Sequence, residues 1–251
     1  MLASLTNHGW SAVSEHVREE WPIRIGLVTP LANERANIEQ FMDEVLRYLQ
    51  VSDRWYCILD NVSHDGTNEV VKAKSENDAR VVHVWAPQNR CVADAYIAGY
   101  KAAFASGCRW ILEMDGGLSH PPAKIPEFIA AMDAGYDFAG GSRFMPGGEH
   151  RSPWVRRGLS YGGTVLAQLL LRSRMTDMTS GFECFSRRAM EYILKRGVQS
   201  RANFFQTEIR HMMHQFRWIE IPFVYVNESA SLGRPAIGES LKLLIRMSLQ
   251  K

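Results

Sequence analysis

The sequence predicts an α/β fold in which a parallel sheet carries helices on both faces. Three observations lead there. Short apolar runs alternate with helical patterns from residue 23 to residue 142, and such alternation builds parallel strands joined by crossovers. Several of the runs end in polar residues beside Gly or Pro turns, as strands do at the carboxyl edge of an open sheet. At 251 residues the chain is long enough for one sizeable core.

The elements follow in order. Residues 1–22 are polar and mixed and read as an extension. Ile23 to Thr29 is a buried strand ended by Pro30. A helix from Ala36 to Leu49 carries Ile38, Phe41, Val45 and Leu49 on one face. Trp55 to Asp60 is a strand, and a polar turn with Asp65, Gly66 and Thr67 leads into a helix. Val81 to Trp85 is a strand, and Ala93 to Ala105 is a helix stopped by Gly107. Trp110 to Asp115 is a strand. Gly116 and Gly117 turn the chain, and Pro121 and Pro122 open a helix over Ala123 to Met132. Tyr136 to Gly140 is a fifth strand.

The pattern changes after residue 142. Arg143 to Pro153 is rich in Gly, Pro and charge, so a mobile loop is expected. Helices are expected over Trp154–Leu171, Arg187–Arg196, Phe204–Gln215 and Ala236–Ser248. Thr176 to Phe185 reads as irregular or strand, and Trp218 to Val226 as one alternating strand. Asn227 to Pro235 is loop. We expect a single domain over 23–251, with a ligand-binding half at 23–142 and a second half at 143–251.

Composition narrows the function. A net charge of +2 argues against general nucleic-acid binding. The four cysteines, Cys57, Cys91, Cys108 and Cys184, are scattered and form no CxxC pair. That favours free thiols in a reducing, cytoplasmic compartment over disulfides or a zinc site. Residues 1–22 lack the apolar core of a signal peptide. The run up to Leu171 falls short of the ~20 apolar residues that a spanning helix needs. Trp154, Arg156 and Arg157 before it, with Arg172 and Arg174 behind, suit an interfacial position; a core helix with charged ends is the competing reading.

Asp115 admits two readings, a turn cap or a ligand for a divalent cation and its diphosphate. Asn33, Glu34, Asp60 and Asn61 at neighbouring strand ends can read a base or ribose, or simply form turns. No GxGxxG follows the first strand, and no GxxxxGK[ST], HExxH or GxSxG occurs. Dinucleotide dehydrogenases, P-loop enzymes and the corresponding hydrolases are disfavoured. A sugar nucleotidyltransferase would need a Gly-rich phosphate loop that is missing here.

Seven segments recur together in order: Pro30–Glu34, Asp60–Thr67, Asp115–Pro122, Gly141–Arg143, Arg156–Ser160, Asp177–Phe182 and Phe205–Glu208. In this order they resemble the family 2 glycosyltransferases, and most the polyprenyl- and dolichyl-phosphate mannosyltransferase and glucosyltransferase group. The resemblance implies a GT-A fold, with a Rossmann-like nucleotide-binding half and a mixed central sheet. It implies an inverting transfer of a hexose, of mannose or glucose type, from a GDP- or UDP-linked donor to a polyprenyl phosphate. It implies nucleotide contacts from Pro30, Asn33, Glu34, Asp60, Asn61 and Arg90. Asp115 would meet Mg2+ or Mn2+ and the diphosphate. Arg143, Arg156 and Ser160 would bind the acceptor phosphate, a chemistry that guanidinium forks suit. Asp115, Arg143, Asp177 and Glu208 form the implied catalytic set. A phosphate monoester needs no general base; a soluble hydroxyl acceptor would, and Asp177 or Glu208 would then serve.

The sequence also departs from the pattern. The usual D-A-D reads Asp115-Gly116-Gly117, so one carboxylate is missing and a weaker metal site is expected. Restoring Asp at position 117 should then raise metal affinity, and a nucleotide-sugar-binding protein without turnover is a further alternative. Glu113 shares the strand face of Asp115 and reads as a helper or as a buried structural residue. The Arg often found after S-G-F is Glu183.

Overall fold

The structure, a computed structural model, describes residues 21–202, 204–226 and 234–249. The expected extension over 1–22 and the loop over 227–235 lie almost wholly outside them. The first half runs β1 (Ile23–Pro30), α1 (Ile38–Leu46), β2 (Arg54–Leu59), α2 (Thr67–Asn77), β3 (Val81–Trp85), α3 (Val92–Ala105) and β4 (Cys108–Glu113). A 3-10 turn over Pro122–Lys124 then enters α4 (Ile125–Asp133), and β5 (Phe138–Ser142) closes this half. The second half runs β6 (Glu149–Arg151), α5 (Trp154–Leu171), β7 (Glu183–Ser186), α6 (Arg187–Arg196), α7 (Phe205–Met213), β8 (Trp218–Pro222), β9 (Val224–Val226) and α8 (Arg234–Leu249).

Seven strands form one sheet in the order β3-β2-β1-β4-β7-β5-β8. The period-2 alternation of the strands divides the core. Ile25, Leu27, Trp55, Trp110 and Leu112 pack under Phe41 and Phe128 on one face. Val28, Tyr56, Ile58 and Ile111 pack under Tyr96, Tyr100, Met190 and Ile209 on the other. Each fully buried large apolar side chain contributes about 1.5–3 kcal/mol, so both faces draw their helices onto the sheet.

β1 to β4 are parallel as expected, but β5 does not join β4. β7 is inserted between them and runs antiparallel to both. The sheet is therefore mixed, and the one reversed strand comes from the second half. Two other expectations are corrected. The alternating run 218–226 is broken into β8 and β9, because the chain changes partners at Phe223: its N–H donates to the Ser142 carbonyl of β5, and its carbonyl accepts from the Glu149 N–H of β6. Arg143 to Pro153 is not all loop: β6 pairs with β9 as a separate two-stranded sheet.

Inserting β7 creates an electrostatic problem. Its register sets Glu113 opposite Glu183, both with 0% exposure. α7 resolves it with two side chains. Arg210 donates from Nε to Glu183 Oε1 at 2.6 Å and from Nη2 to the Gly141 carbonyl at 2.9 Å. It also donates to the carbonyls of Ser180 and Asp177. Gln206 donates to Glu113. Gly181 makes this approach possible, since a β-carbon there would sit 2.5 Å from Gln206 Nε2.

Arg210→Met should destabilise the protein by about 3–5 kcal/mol, the usual cost of leaving a buried charge without its partner. Urea unfolding at pH 7 measures it; a loss below about 1 kcal/mol would contradict the assigned role.

Candidate active site

The carboxyl ends of β1, β2 and β4 carry the donor-side candidates. Two loops there are knitted by side chains. Asn33, held at φ 57°, donates from Nδ2 to the Val62 carbonyl at 3.0 Å and accepts from the His64 N–H at 3.0 Å. Left-handed backbone is tolerated by Asn better than by most residues. The Glu34 N–H donates to Thr67 Oγ1 at 2.9 Å, and the Arg35 N–H to Asp65 Oδ2 at 2.8 Å. Asp60 accepts from the Val62 N–H at 2.9 Å, a local turn. Asn61 reaches the Pro87 carbonyl at 3.1 Å. Pro30 ends β1 beside them. Arg90 stands apart: it pairs with Asp94 at 3.0 Å and lines a surface hollow of about 580 Å3 with Trp85, Asn89 and Lys101.

Asp115 follows β4 and is fixed from two sides. Tyr96 of α3 donates its hydroxyl to Oδ1 at 2.5 Å. The Asp115 N–H donates to His120 Nδ1 at 3.0 Å, which sets Nε2, 3.6 Å from Oδ2, as the protonated nitrogen. His120 is buried and stacks on Phe182 with ring centroids 4.8 Å apart. Burial pushes its pKa down to about 4, so it is neutral at pH 7. Asp115 keeps 41% of its side chain exposed, so the carboxylate is aimed rather than sealed.

The second half brings Arg143, Asp177 and Arg156 to the same edge. Arg143 grips Asp177 with a fork, Nε to Oδ2 at 2.7 Å and Nη2 to Oδ1 at 2.9 Å. Nη2 also reaches Thr179 Oγ1 at 2.7 Å. Both partners are buried. Burial opposes the charge of Asp177, but the Arg143 guanidinium holds its carboxyl far below the usual carboxylate range. Arg143 lies over Tyr225 at 5.4 Å, and Arg156 donates to the same tyrosine's hydroxyl at 3.4 Å. Ser160 sits one turn after Arg156 and is half-buried.

Glu208 lies elsewhere in purpose. Its carboxylate accepts the N–H groups of Gln199 and Ser200 at 3.0 Å and is 4% exposed. The two carboxylates expected as bases for a hydroxyl acceptor are thus both buried and hydrogen-bonded. Nε and Nη2 of Arg143 are engaged by Asp177 and Thr179, and Nη1 lies 3.3 Å from His150 Nε2, so Arg143 braces the 176–182 segment. Glu113 is fully buried and accepts from Gln206. Tyr96 and Arg210 were not foreseen; the periodicity marks both helices but not which polar tip turns inward.

The mixed sheet, with one aimed carboxylate at its carboxyl edge and arginines across from it, is the GT-A arrangement of sugar-transferring enzymes. The chain belongs to glycosyl transferase family 2, whose model matches residues 27–194. A polyprenol monophosphomannose synthase of Mycolicibacterium smegmatis is 28% identical over 212 residues, 83% of this chain and 79% of that one. An undecaprenyl-phosphate mannosyltransferase of Micrococcus luteus is 24% identical over 233 residues, 90% of this chain and 95% of that one. The fold is like the crystal structure of glucosyl-3-phosphoglycerate synthase from Mycobacterium tuberculosis, in complex with Mn2+, UDP and glucosyl-3-phosphoglycerate. The TM-score is 0.65 at 14% identity, covering 90% of this chain and 79% of that one.

Burial and the facing Glu183 carboxylate push Glu113 well above the usual glutamate range. Its folded state retains a proton that the unfolded chain releases, so this group's contribution falls as pH rises above 4.5 toward the folded pKa. Glu113→Gln should therefore raise Tm more at pH 8 than at pH 5. Calorimetric scans at both pH values check this; an equal shift at the two would contradict it.

Proposed function

We propose that this glycosyltransferase moves a hexose from a nucleoside-diphosphate sugar to a polyprenyl phosphate at a membrane surface, on the cytoplasmic side. One observation carries the reading: α5 carries Arg156 and Ser160 together with an apolar stripe turned outward. Val155, Leu159, Leu166 and Leu169 recur at helical spacing on its exposed side, Leu169 at 71% exposure. α8, which packs against α5, continues the surface with exposed Leu241, Ile245 and Leu249. Arg157, Arg172, Arg174, Lys242 and Arg246 surround these residues and are exposed. Apolar residues among cations suit the surface of an anionic bilayer. No helix among the described residues is long and apolar enough to cross a membrane.

Beside the stripe, Phe144, Trp154, Gly158 and Tyr161 line a hollow of about 350 Å3. It fits the first units of an isoprenoid chain whose phosphate meets Arg156 and Ser160. The names of the two mannosyltransferase relatives support the same acceptor class. The reaction is a displacement. A phosphate oxygen attacks the anomeric carbon, and the bond from that carbon to the nucleoside diphosphate breaks on the opposite side. The acceptor is already an anion, so no base is needed, in keeping with the buried Asp177 and Glu208. Arg143 and Asp177 hold the 176–182 segment that faces the acceptor. Tyr96 and His120 orient Asp115 toward the donor diphosphate. A divalent cation, Mg2+ or Mn2+, bound at Asp115 would offset the charge of the departing diphosphate.

The direct test incubates the protein with labelled GDP-mannose or UDP-glucose and undecaprenyl phosphate in detergent. Label should enter the organic phase, and Arg156→Ala should raise the acceptor KM about tenfold or more while sparing that of the donor. Label that reaches only water-soluble acceptors would overturn the reading. Leu169→Glu should weaken cosedimentation with anionic vesicles severalfold without lowering activity in detergent. Unchanged sedimentation would remove the membrane face from the account.

A further inference from the structure

The D-A-D motif is short of one carboxylate in the sequence, yet the space is filled. Gly117 lies at φ +74°, and a β-carbon on it would sit 3.0 Å from Glu34 Oε2 and 3.3 Å from Oε1. The carboxylate of Glu34 therefore occupies the place that a side chain at position 117 would enter. It reaches there from the β1–α1 loop, whose path is set by the bond from the Glu34 N–H to Thr67. Among the described residues that carboxylate has no hydrogen-bond or ion-pair partner. Its charged neighbours are Asp65 and Asp115, both anions. A half-buried carboxylate facing two others without a cation is unfavourable as it stands.

We infer that Glu34 supplies the second carboxylate of the divalent-cation site, opposite Asp115, and that residue 117 is glycine because Glu34 fills its space. This rests on the glycosyltransferase reading above. The donor set fits a hard cation: Asp115 and Glu34 both offer oxygen. No group of three ligating side chains occurs among the described residues. Two protein carboxylates with substrate phosphate oxygens is the usual way that Mg2+ is held beside a nucleotide. Cation affinity then depends on the bound nucleotide.

The inference reverses the expectation that Gly117→Asp repairs the site. An aspartate there adopts a left-handed backbone and drives its carboxylate against Glu34.

The test uses Mn2+ as probe. Loss of the free Mn2+ electron paramagnetic resonance signal is titrated with the full chain plus GDP or UDP, for the wild type, Glu34→Gln, Asp115→Asn and Gly117→Asp. Glu34→Gln keeps the shape and the backbone bond to Thr67, and near-ultraviolet circular dichroism checks its fold. It should weaken nucleotide-dependent Mn2+ binding at least ~10-fold, as Asp115→Asn does, and by more than it changes metal-free nucleotide affinity. Gly117→Asp should fail to tighten it. If Glu34→Gln binds Mn2+ like the wild type while Asp115→Asn does not, the inference is wrong and the glycosyltransferase reading stands. If Glu34→Gln lowers metal-free nucleotide affinity as much as Mn2+ binding, Glu34 reads the nucleotide alone and the inference is again wrong. Failure of the wild type to bind either nucleotide would defeat both.

Discussion

The site depends on one reversed strand and the arginine that makes it tolerable. β7 alone runs against its neighbours, and it delivers residues 176–182 to the sheet edge that carries Asp115. The same reversal sets two buried glutamates face to face. Arg210, fully buried, neutralises one of them and ties the carbonyls of Gly141, Ser180 and Asp177 to one guanidinium. Its planar fork suits this geometry where a lysine would not. The two halves of the site are thus joined by charge in the interior, although Arg210 itself is 0% exposed and cannot touch a substrate.

This economy explains why acids and bases are scarce at the site. Two of the acidic residues that the sequence marks for catalysis are bonded within the interior. Asp177 is the counter-ion of Arg143, and Glu208 caps a pair of backbone amides. A reaction that required a proton acceptor would have to dismantle one of these. Transfer to a phosphate acceptor does not, and catalysis then rests on orientation and on charge at the leaving group. The neutral His120, locked between Asp115 and Phe182, contributes alignment rather than proton transfer.

Much of the fold was legible in the chain. The strand and helix alternation of residues 23–142 and the turn at Asp115 both reflect local chemistry, and local chemistry is what a sequence displays. The insertion of β7 was not legible, since a four-residue strand carries little periodic signal and its place is set by tertiary pairing. Nor was the break at Phe223, where the apolar alternation continues but the chain changes partners: its N–H donates to the Ser142 carbonyl and its own carbonyl accepts from the Glu149 N–H. The interior role of Arg143 was hidden for a related reason. A Gly- and Pro-rich setting suggests an exposed loop, whereas burial here is enforced by an ion pair 34 residues away. The substitution of Glu183 for the arginine usual after S-G-F becomes intelligible only beside Arg210 on a helix. The meaning of Gly117 is similar: the sequence shows a missing carboxylate, and only the fold shows what lies against it.

The central claim is that the carboxyl edge around Asp115 is a working donor site. Titration calorimetry of GDP and of UDP against the protein in the presence of Mn2+ tests it most directly. The account predicts stoichiometric binding of one of the two, abolished or strongly weakened by Asp115→Asn. Binding of neither nucleotide, or binding indifferent to Asp115, would contradict it.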